Sequence, residues 1–342
     1  MTTKTTIPTT NNAAAAAETP LGEFGRIARW FSPLAAGFPG ARGLTDDAAV
    51  FGVPADMELV VTTDAMAAGV HFLPDESPAD IAYKLLAVNL SDLAAKGAEP
   101  LAYSLALCLP KGTPDDWVAA FAAGLAEAQK RFGVALSGGD SVSTRGPAVL
   151  SVTAMGLVPK GGAPSRNAGP DAPGALICVT GTIGDGALGL GCALGGLNWP
   201  DDGQRGYLLD RLRRPTPRLA AGRALRGLVL AAMDISDGLL ADLAHMARTS
   251  GVAAEVDVAA VPLSPAARAV LAANPERLAD VLTGGDDYEL LVAVAPERLS
   301  AAQAATPLAV IGRFVDGPAG RVTALDAAGA PLVFPRLGWT HD

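Results

Sequence analysis

Apolar positions along the chain follow two alternating periods, and each period predicts its own kind of element. In LGEFGRIARWF, Leu21, Phe24, Ile27, Ala28 and Phe31 recur at helical spacing, so ordered structure is expected to begin there. ELVVTT (58–63) is a short continuous apolar run that ends at Asp64, the pattern of a buried strand. Pro78 to Ala98 reads as a helix with Pro early and Gly97 near its end. LAYSLALCL (101–109) predicts a second strand and Pro114 to Phe132 a second helix. VALS (134–137) and AVLSVTAMGLV (148–158) read as further strands, separated by a segment that begins GGDS. The texture then changes: PKGGAPSRNAGPDAPG (159–174) carries four Gly and four Pro and reads as a linker. ALICVTG (175–181) restarts a strand–helix series that ends in a strand-rich tail after Pro307.

These elements predict a mixed α/β (α+β) protein of two domains that meet near residue 160. A strand-rich N-terminal domain is expected over 21–159 and a C-terminal α/β domain over 160–342. Residues 1–20 are rich in Thr and Ala, with one Lys and no acid before Glu18. Ala13 to Ala17 is too short and too weakly apolar for a secretory signal, so a disordered tail is expected. A length of 342 residues supports the two-domain reading, being more than one hydrophobic core comfortably serves. Lys and Arg number 26 against 35 Asp and Glu, a net charge of −9, which argues against nucleic acid or an anionic membrane surface as partner. No apolar run approaches the roughly 18 residues that would span a bilayer. Cys108, Cys178 and Cys192 fit neither a disulfide framework nor a zinc spacing. A soluble, cytoplasmic protein is expected.

The acids carry the chemical signal. Asp46 and Asp47 lie in GLTDDAAVF, Asp64 in VVTTDAMAAGVHF, and Asp92 in AVNLSDLAAKGA. Asp140 follows in LSGGDSVS, Asp234 and Asp237 in AAMDISDGLL, and Asp286 and Asp287 in LTGGDDYELL. Each stands beside an apolar run with hardly a basic neighbour, and an uncompensated acid at the end of a buried strand is unfavourable. Hydrated divalent cations are one compensation, and oxygen-only ligands select Mg²⁺ or a similar hard ion. Taken singly, each Asp is equally a turn or helix-capping residue. Asp92 is harder to dismiss: it sits inside a helical pattern on one face with Asn89 and Lys96, a wall of a site or a solvent side.

Other chemistries find less support. The three histidines, His71, His245 and His341, form no His-x-x-x-His pair. There is no G-x-S-x-G nucleophile elbow and no P-loop. GDGALG (184–189) matches G-x-G-x-x-G, but the stretch after it, GCALGGLNWPDDGQRG, is not the second strand a dinucleotide fold requires. A Gly-permitted tight turn accounts for the match.

Taken in order, the segments GEFGRIARWF, GLTDDAAVF, VVTTDAMAAGVHF, YKLLAVNLSDLAAKGAEP, GGDSVSTRG, MDISDGLLADL, GGDDYELL and the closing GWTHD resemble thiamine-monophosphate kinases. That family shares an ATP-binding fold with aminoimidazole-ribonucleotide synthetase, selenophosphate synthetase and a hydrogenase-maturation protein. The likeness runs from Gly22 to Trp339. It implies ATP-dependent phosphorylation of thiamine monophosphate to thiamine diphosphate, assisted by several Mg²⁺ ions, in a homodimer joined through N-terminal strands. By that resemblance Asp47, Thr62, Thr63, Asp64, Asp92, Asp140 and Asp234 would be Mg²⁺ ligands, and Asp237 would hold a further ion. Gly139, Asp140, Arg166 and Ser236 would contact ATP, while His71, Asp286 and Trp339 would contact the thiamine substrate. No catalytic residue beyond these ligands is implied.

Three positions depart from the family pattern. Asp286 stands where Glu is usual, Thr45 replaces a Gly, and Lys96 replaces a Met. Three rival readings remain: another member of the ATP-binding superfamily with a different acceptor, a nicotinamide-dependent oxidoreductase built on the Gly184 loop, and a non-catalytic acidic cation-binding scaffold.

Overall fold

The computed structural model describes residues 21–197, 199 and 201–339. The expected tail, 1–20, and the last three residues of the closing GWTHD segment lie outside them. The opening helix is a single α turn, α1 (Glu23–Arg26), which continues as a π turn (Ile27–Phe31) and two 3₁₀ segments (Ser32–Ala35 and Pro39–Leu44).

The N-terminal sheet is built from β1 (Met57–Ala67), β2 (Glu99–Pro110), β3 (Ala135–Thr144) and β4 (Val149–Pro159), with helices α2 (Pro78–Ala95) and α3 (Asp115–Phe132) between them. Strand order is β1-β4-β2-β3; β4 runs antiparallel to both β1 and β2, and β3 is parallel to β2. The GGDS segment is not a break between strands, as the sequence suggested, but the middle of β3. Gly139 passes so close to β2 that a Cβ there would stand 1.9 Å from the Leu105 carbonyl oxygen. Glycine is therefore what lets this edge strand pair at all. Helix α2 ends earlier than expected, at Ala95, where Lys96 caps it and Gly97 turns the chain with φ of 62°.

The C-terminal sheet has order β11-β10-β7-β9-β5-β8-β6. Its strands are β5 (Leu176–Val179), β6 (Ala231–Asp234), β7 (Ala253–Asp257), β8 (Leu290–Val294), β9 (Ala309–Val315), β10 (Val322–Leu325) and β11 (Pro331–Leu332). All neighbours are antiparallel except β7 and β10. The helices are α4 (Asp185–Ala193), α5 (Asp202–Arg213), α6 (Leu219–Ala224), α7 (Leu239–Thr249), α8 (Pro265–Ala273), α9 (Leu278–Thr283) and α10 (Leu299–Ala305).

Period-two alternation in this sheet explains how the halves join. Leu290, Val292 and Val294 of β8, with Ala232 of β6, belong to the same apolar core as Leu85, Leu86 and Leu93 of α2. Leu291 and Ala293, with Ala231 and Met233, face the other way into a second core with Leu239 and Leu243 of α7. Helix α2 is thus covered on both sides, as an apolar helix must be. Asp234 shares the parity of Ala232, so the strand delivers its carboxylate to the α2 side.

Candidate active site

The same parity argument applies to β1. Thr62 and Asp64 lie on the face covered by α2, and Thr63 points to the opposite face. The Thr62 hydroxyl donates to Asp92 Oδ2. The Asp64 N–H donates to Asn89 Oδ1 at 3.0 Å, and Asn89 is itself anchored by donating to the Leu85 carbonyl at 2.9 Å. The Thr63 hydroxyl shares a hydrogen bond with Thr153 Oγ1 at 2.9 Å, away from this cluster. Its side chain therefore does not join Thr62 and Asp64, as the sequence reading implied.

A cavity of about 470 Å³ opens between the two sheets, and most of the expected site residues line it: Asp64, His71, Asp92, Arg166, Asp234, Ser236, Asp237, Asp286 and Trp339. Two loops of the C-terminal half form one wall and are laced together. The Asp286 N–H donates to the Ser236 carbonyl at 3.0 Å, Tyr288 N–H to Ile235 at 2.8 Å, and Trp339 N–H to Asp237 at 2.9 Å. Asp242, in the first turn of α7, accepts from the N–H groups of Ser236 and Asp237 at 3.0 and 3.1 Å and so shapes the loop carrying both. His71 Nδ1 accepts from the Ala67 N–H at 3.1 Å, which makes the neutral ring the Nε2–H tautomer.

The acids in this cavity repel one another. Burial, then the charges of Asp92 and Asp237, push the Asp64 carboxyl up to about 6. Burial and the Asp92 charge push Asp234 up to about 7, with Asp64 adding to the effect. Burial, with Asp234 and Asp237 nearby, pushes Asp242 up to about 8. Uncompensated carboxylates from two domains, offering oxygen alone, suit a hard divalent cation. Among the described residues no three His, Cys, Asp or Glu side chains converge into a ready-made metal shell.

Two further cavities hold expected site residues, and the larger adjoins the site. One of about 860 Å³ shares Asp92 and Arg166 and adds Thr62 and Lys96 to an apolar wall that includes Leu59, Val61 and Val158. Lys96 donates to the carbonyls of Pro164 and Ala232 at 3.2 and 3.4 Å, and burial with the Arg166 charge beside it lowers its pKa. The other, of about 150 Å³, holds Asp47, Gly139 and Asp140 against Ile27 and Phe31. Gly139 and Asp140 lie on β3, at the far edge of the sheet from β1, and Asp47, in the segment that leads into β1, packs at that same cavity. Within one chain they do not join the carboxylates of the central cavity.

The GDGALG loop has a different occupant from the one its spacing suggested. Gly184 has φ of 87°, and a Cβ there would stand 2.6 Å from Val281 Cγ1. The N–H groups of Gly184 and Gly186 donate to the buried carboxylate of Asp287, at 2.9 and 3.4 Å. The protein's own acid fills the turn that a phosphate would need.

Sequence reasoning missed Lys84, whose Nζ lies 2.9 Å from Asp286 Oδ1 inside the central cavity. The signal was available: a lone Lys on an otherwise apolar helix, eight residues before Asp92 and on its face. Tyr288, Asp242 and Asp287 were also missed, since their roles depend on contacts far apart in the chain.

Residues 45–158 match the family described as AIR synthase related protein, N-terminal domain, and residues 172–324 match its C-terminal domain. The chain is 44% identical over 339 residues to a thiamine-monophosphate kinase of Caulobacter vibrioides, covering 97% of this chain and 94% of that one. The crystal structure of a thiamine-monophosphate kinase from Stenotrophomonas maltophilia superposes with a TM-score of 0.74 at 42% identity, over 82% of this chain and 89% of that one. AaThiL complexed with AMPPCP and TMP superposes with a TM-score of 0.75 at 29% identity, over 87% and 91% of the two chains.

Proposed function

The chain belongs to the thiamine-monophosphate kinase family, within the AIR-synthase-related proteins, and from that premise we propose that it transfers the γ-phosphoryl group of ATP directly to the phosphate of thiamine monophosphate, giving ADP and thiamine diphosphate. The observation that carries this reading is the meeting of Asp64 and Asp92 from one domain with Asp234 and Asp237 from the other, in a cavity that also holds His71, Asp286 and Trp339. AMPPCP, an ATP analogue, and TMP are the ligands of a relative of the same fold.

The acceptor needs no strong base. A phosphate monoester has a second ionisation near pH 6, so its oxygen is largely ionised at neutral pH. The task is to bring two polyanions into line, and phosphoryl transfer is mainly positioning and neutralisation of charge. Asp64, Asp92, Asp234 and Asp237, with Thr62 hydrogen-bonded to Asp92, would hold Mg²⁺ at the phosphates. Bound there, Mg²⁺ supplies neutralisation of the phosphate charges and a template for in-line transfer. Arg166 and Ser236 face the nucleotide phosphates, Arg166 offering its forked donors. The His71 Nε2–H and the Trp339 ring meet the thiamine substrate. Thr63 offers the site only its main chain.

The reading takes 21–159 as the ATP-binding and dimerisation domain and 160–342 as the domain that completes the site. A homodimer accounts for the residues left apart in one chain. Strands β1 and β3 are long, unpaired edges, which proteins seldom leave open. The sheet face away from α2 exposes Leu59 (41%), Val61 (55%) and Val142 (48%). Pairing β1 of one copy with β3 of another would cover both edges and bring Asp47, Gly139 and Asp140 of one subunit to the carboxylates of its partner. No helix among the described residues is long and apolar enough to cross a membrane, and the reading keeps the enzyme with its ATP in the cytoplasm.

The test is to incubate purified protein with ATP and thiamine monophosphate, with and without Mg²⁺, and follow thiamine diphosphate and ADP by chromatography. Equal, metal-dependent formation of both is expected. Folded protein that binds Mg-ATP and makes no thiamine diphosphate would refute the acceptor and retain the fold.

A further inference from the structure

Lys84 is 5% exposed on a helix whose neighbouring positions are apolar, and its ammonium has two partners. Nζ lies 2.9 Å from Asp286 Oδ1 and 3.5 Å from the His71 carbonyl oxygen. The ion pair crosses between the two halves of the molecule and faces the central cavity. Its two members are held very differently. Asp286 and Tyr288 both adopt left-handed backbone, with φ of 69° and 52°, and the Tyr288 hydroxyl donates to Asp286 Oδ1 at 3.1 Å. Such strain in non-glycine residues persists only where the surroundings fix it, so the Asp286 carboxylate is rigidly placed. Lys84 ends a flexible four-carbon stem. It shares a helix face with Val88 and Asp92, and eight residues of helix put the Asp92 end of that face about 12 Å away.

A buried ion pair is seldom more stabilising than well-packed apolar side chains, so holding the domains together does not by itself call for charge here. The ligand does. Thiamine monophosphate carries a cationic thiazolium ring between its aminopyrimidine and its phosphate, so one ligand offers both signs of charge. We infer that Lys84 is a specificity-determining residue: with Asp286 it forms a charge pair that thiamine monophosphate replaces member for member, the thiazolium taking Asp286 and the phosphate taking Lys84. The exchange leaves neither Lys84 nor Asp286 without an opposite charge in the cavity. Thiamine, lacking the phosphate, strands the Lys84 ammonium; a neutral thiazole phosphate leaves its phosphate and Asp286, two anions, competing for Lys84. This inference rests on thiamine monophosphate being the acceptor.

Calorimetric titration of the full chain with thiamine monophosphate, thiamine and hydroxyethylthiazole phosphate, in the wild type, Lys84→Met and Lys84→Arg, tests it without turnover. Thermal melts establish that each variant is folded. Wild type is expected to prefer thiamine monophosphate over both analogues. Lys84→Met is expected to weaken thiamine monophosphate by about tenfold or more while thiamine holds its affinity or gains, because Asp286 is released. Lys84→Arg, which keeps the charge, should retain most of the preference. Equal weakening of thiamine and thiamine monophosphate in Lys84→Met, no change in either, or a loss in Lys84→Arg as large as in Lys84→Met would overturn the inference alone. Wild type that binds no thiamine monophosphate would overturn the substrate reading, and this inference with it.

Discussion

Replacing Asp64 by Asn should make the substrate-free protein more stable and the enzyme inactive. The Asp64 side chain makes no hydrogen bond that the change would break; the bonds at this position run from its main-chain N–H to Asn89 and from Ser151 to its carbonyl. Its carboxyl is raised from 3.8 to about 6 by burial and by Asp92 and Asp237. At ~1.4 kcal/mol per tenfold, that corresponds to about 3 kcal/mol against the charged form. Below about pH 4 the native and unfolded chains are both protonated, and Asp64 contributes its full stability. Between 4 and 6 the unfolded chain loses a proton that the native chain keeps, so stability falls as pH rises, and above about 6 the loss is complete. Solvent reaches part of this side chain, so about 2 kcal/mol is a fair expectation for the gain at pH 8, or roughly 3 °C in Tm for a chain of this length. The assay is thermal unfolding of wild type and Asp64→Asn from pH 5 to 8, with and without Mg²⁺. The gain should grow with pH, Mg²⁺ should raise the Tm of wild type more than that of the variant, and kcat should fall by about a hundredfold or more. An unchanged or lowered Tm at pH 8, or a gain that does not vary with pH, would refute the reasoning.

Other expectations follow from the same geometry. If two copies share each site, mixing inactive Asp64→Asn with inactive Asp140→Asn should restore activity after subunit exchange; no recovery in a verified mixed dimer would refute the shared site. Asp287→Ala leaves the buried Gly184 and Gly186 N–H groups without an acceptor, and should cost about 2–4 kcal/mol in urea unfolding. Stability equal to wild type would show that those N–H groups do not depend on Asp287. Trp339→Ala should raise KM for thiamine monophosphate about tenfold and leave KM for ATP unchanged, as expected of a stacking residue; equal changes in both would point to general loosening of the cleft.

Much of this arrangement could be read from the chain, because the signals involved are local. Helix α2 declares itself by an early Pro and a closing Gly97, and the acidic motifs name several of the residues that line the central cavity. Other features needed tertiary information. The GGDS segment reads as a loop because its residues are Gly and polar; it is a strand because Leu105 of β2 leaves room only for glycine. Thr62 and Thr63 are chemically alike, yet strand parity sends one to Asp92 and the other to Thr153. That distinction was available from a period of two and was lost by taking the motif whole. Asp286 and Asp287 are adjacent and identical, but one faces the cavity and the other is buried against the Gly184 turn. Nothing local separates them. Lys84 was passed over because a single Lys in a helix is usually a solvated charge, and only the opposite sheet shows that this one is enclosed.

In the proposed function, carboxylates from both domains position ATP and thiamine monophosphate for direct transfer between phosphates. A rapid-quench single turnover with γ-phosphorus-labelled ATP, thiamine monophosphate and Mg²⁺ tests it most directly. The account expects label to pass from ATP to thiamine diphosphate in one step, with none on protein and little released as inorganic phosphate. Label that appears first on the protein, or that is released as phosphate while thiamine monophosphate stays unchanged, would contradict it.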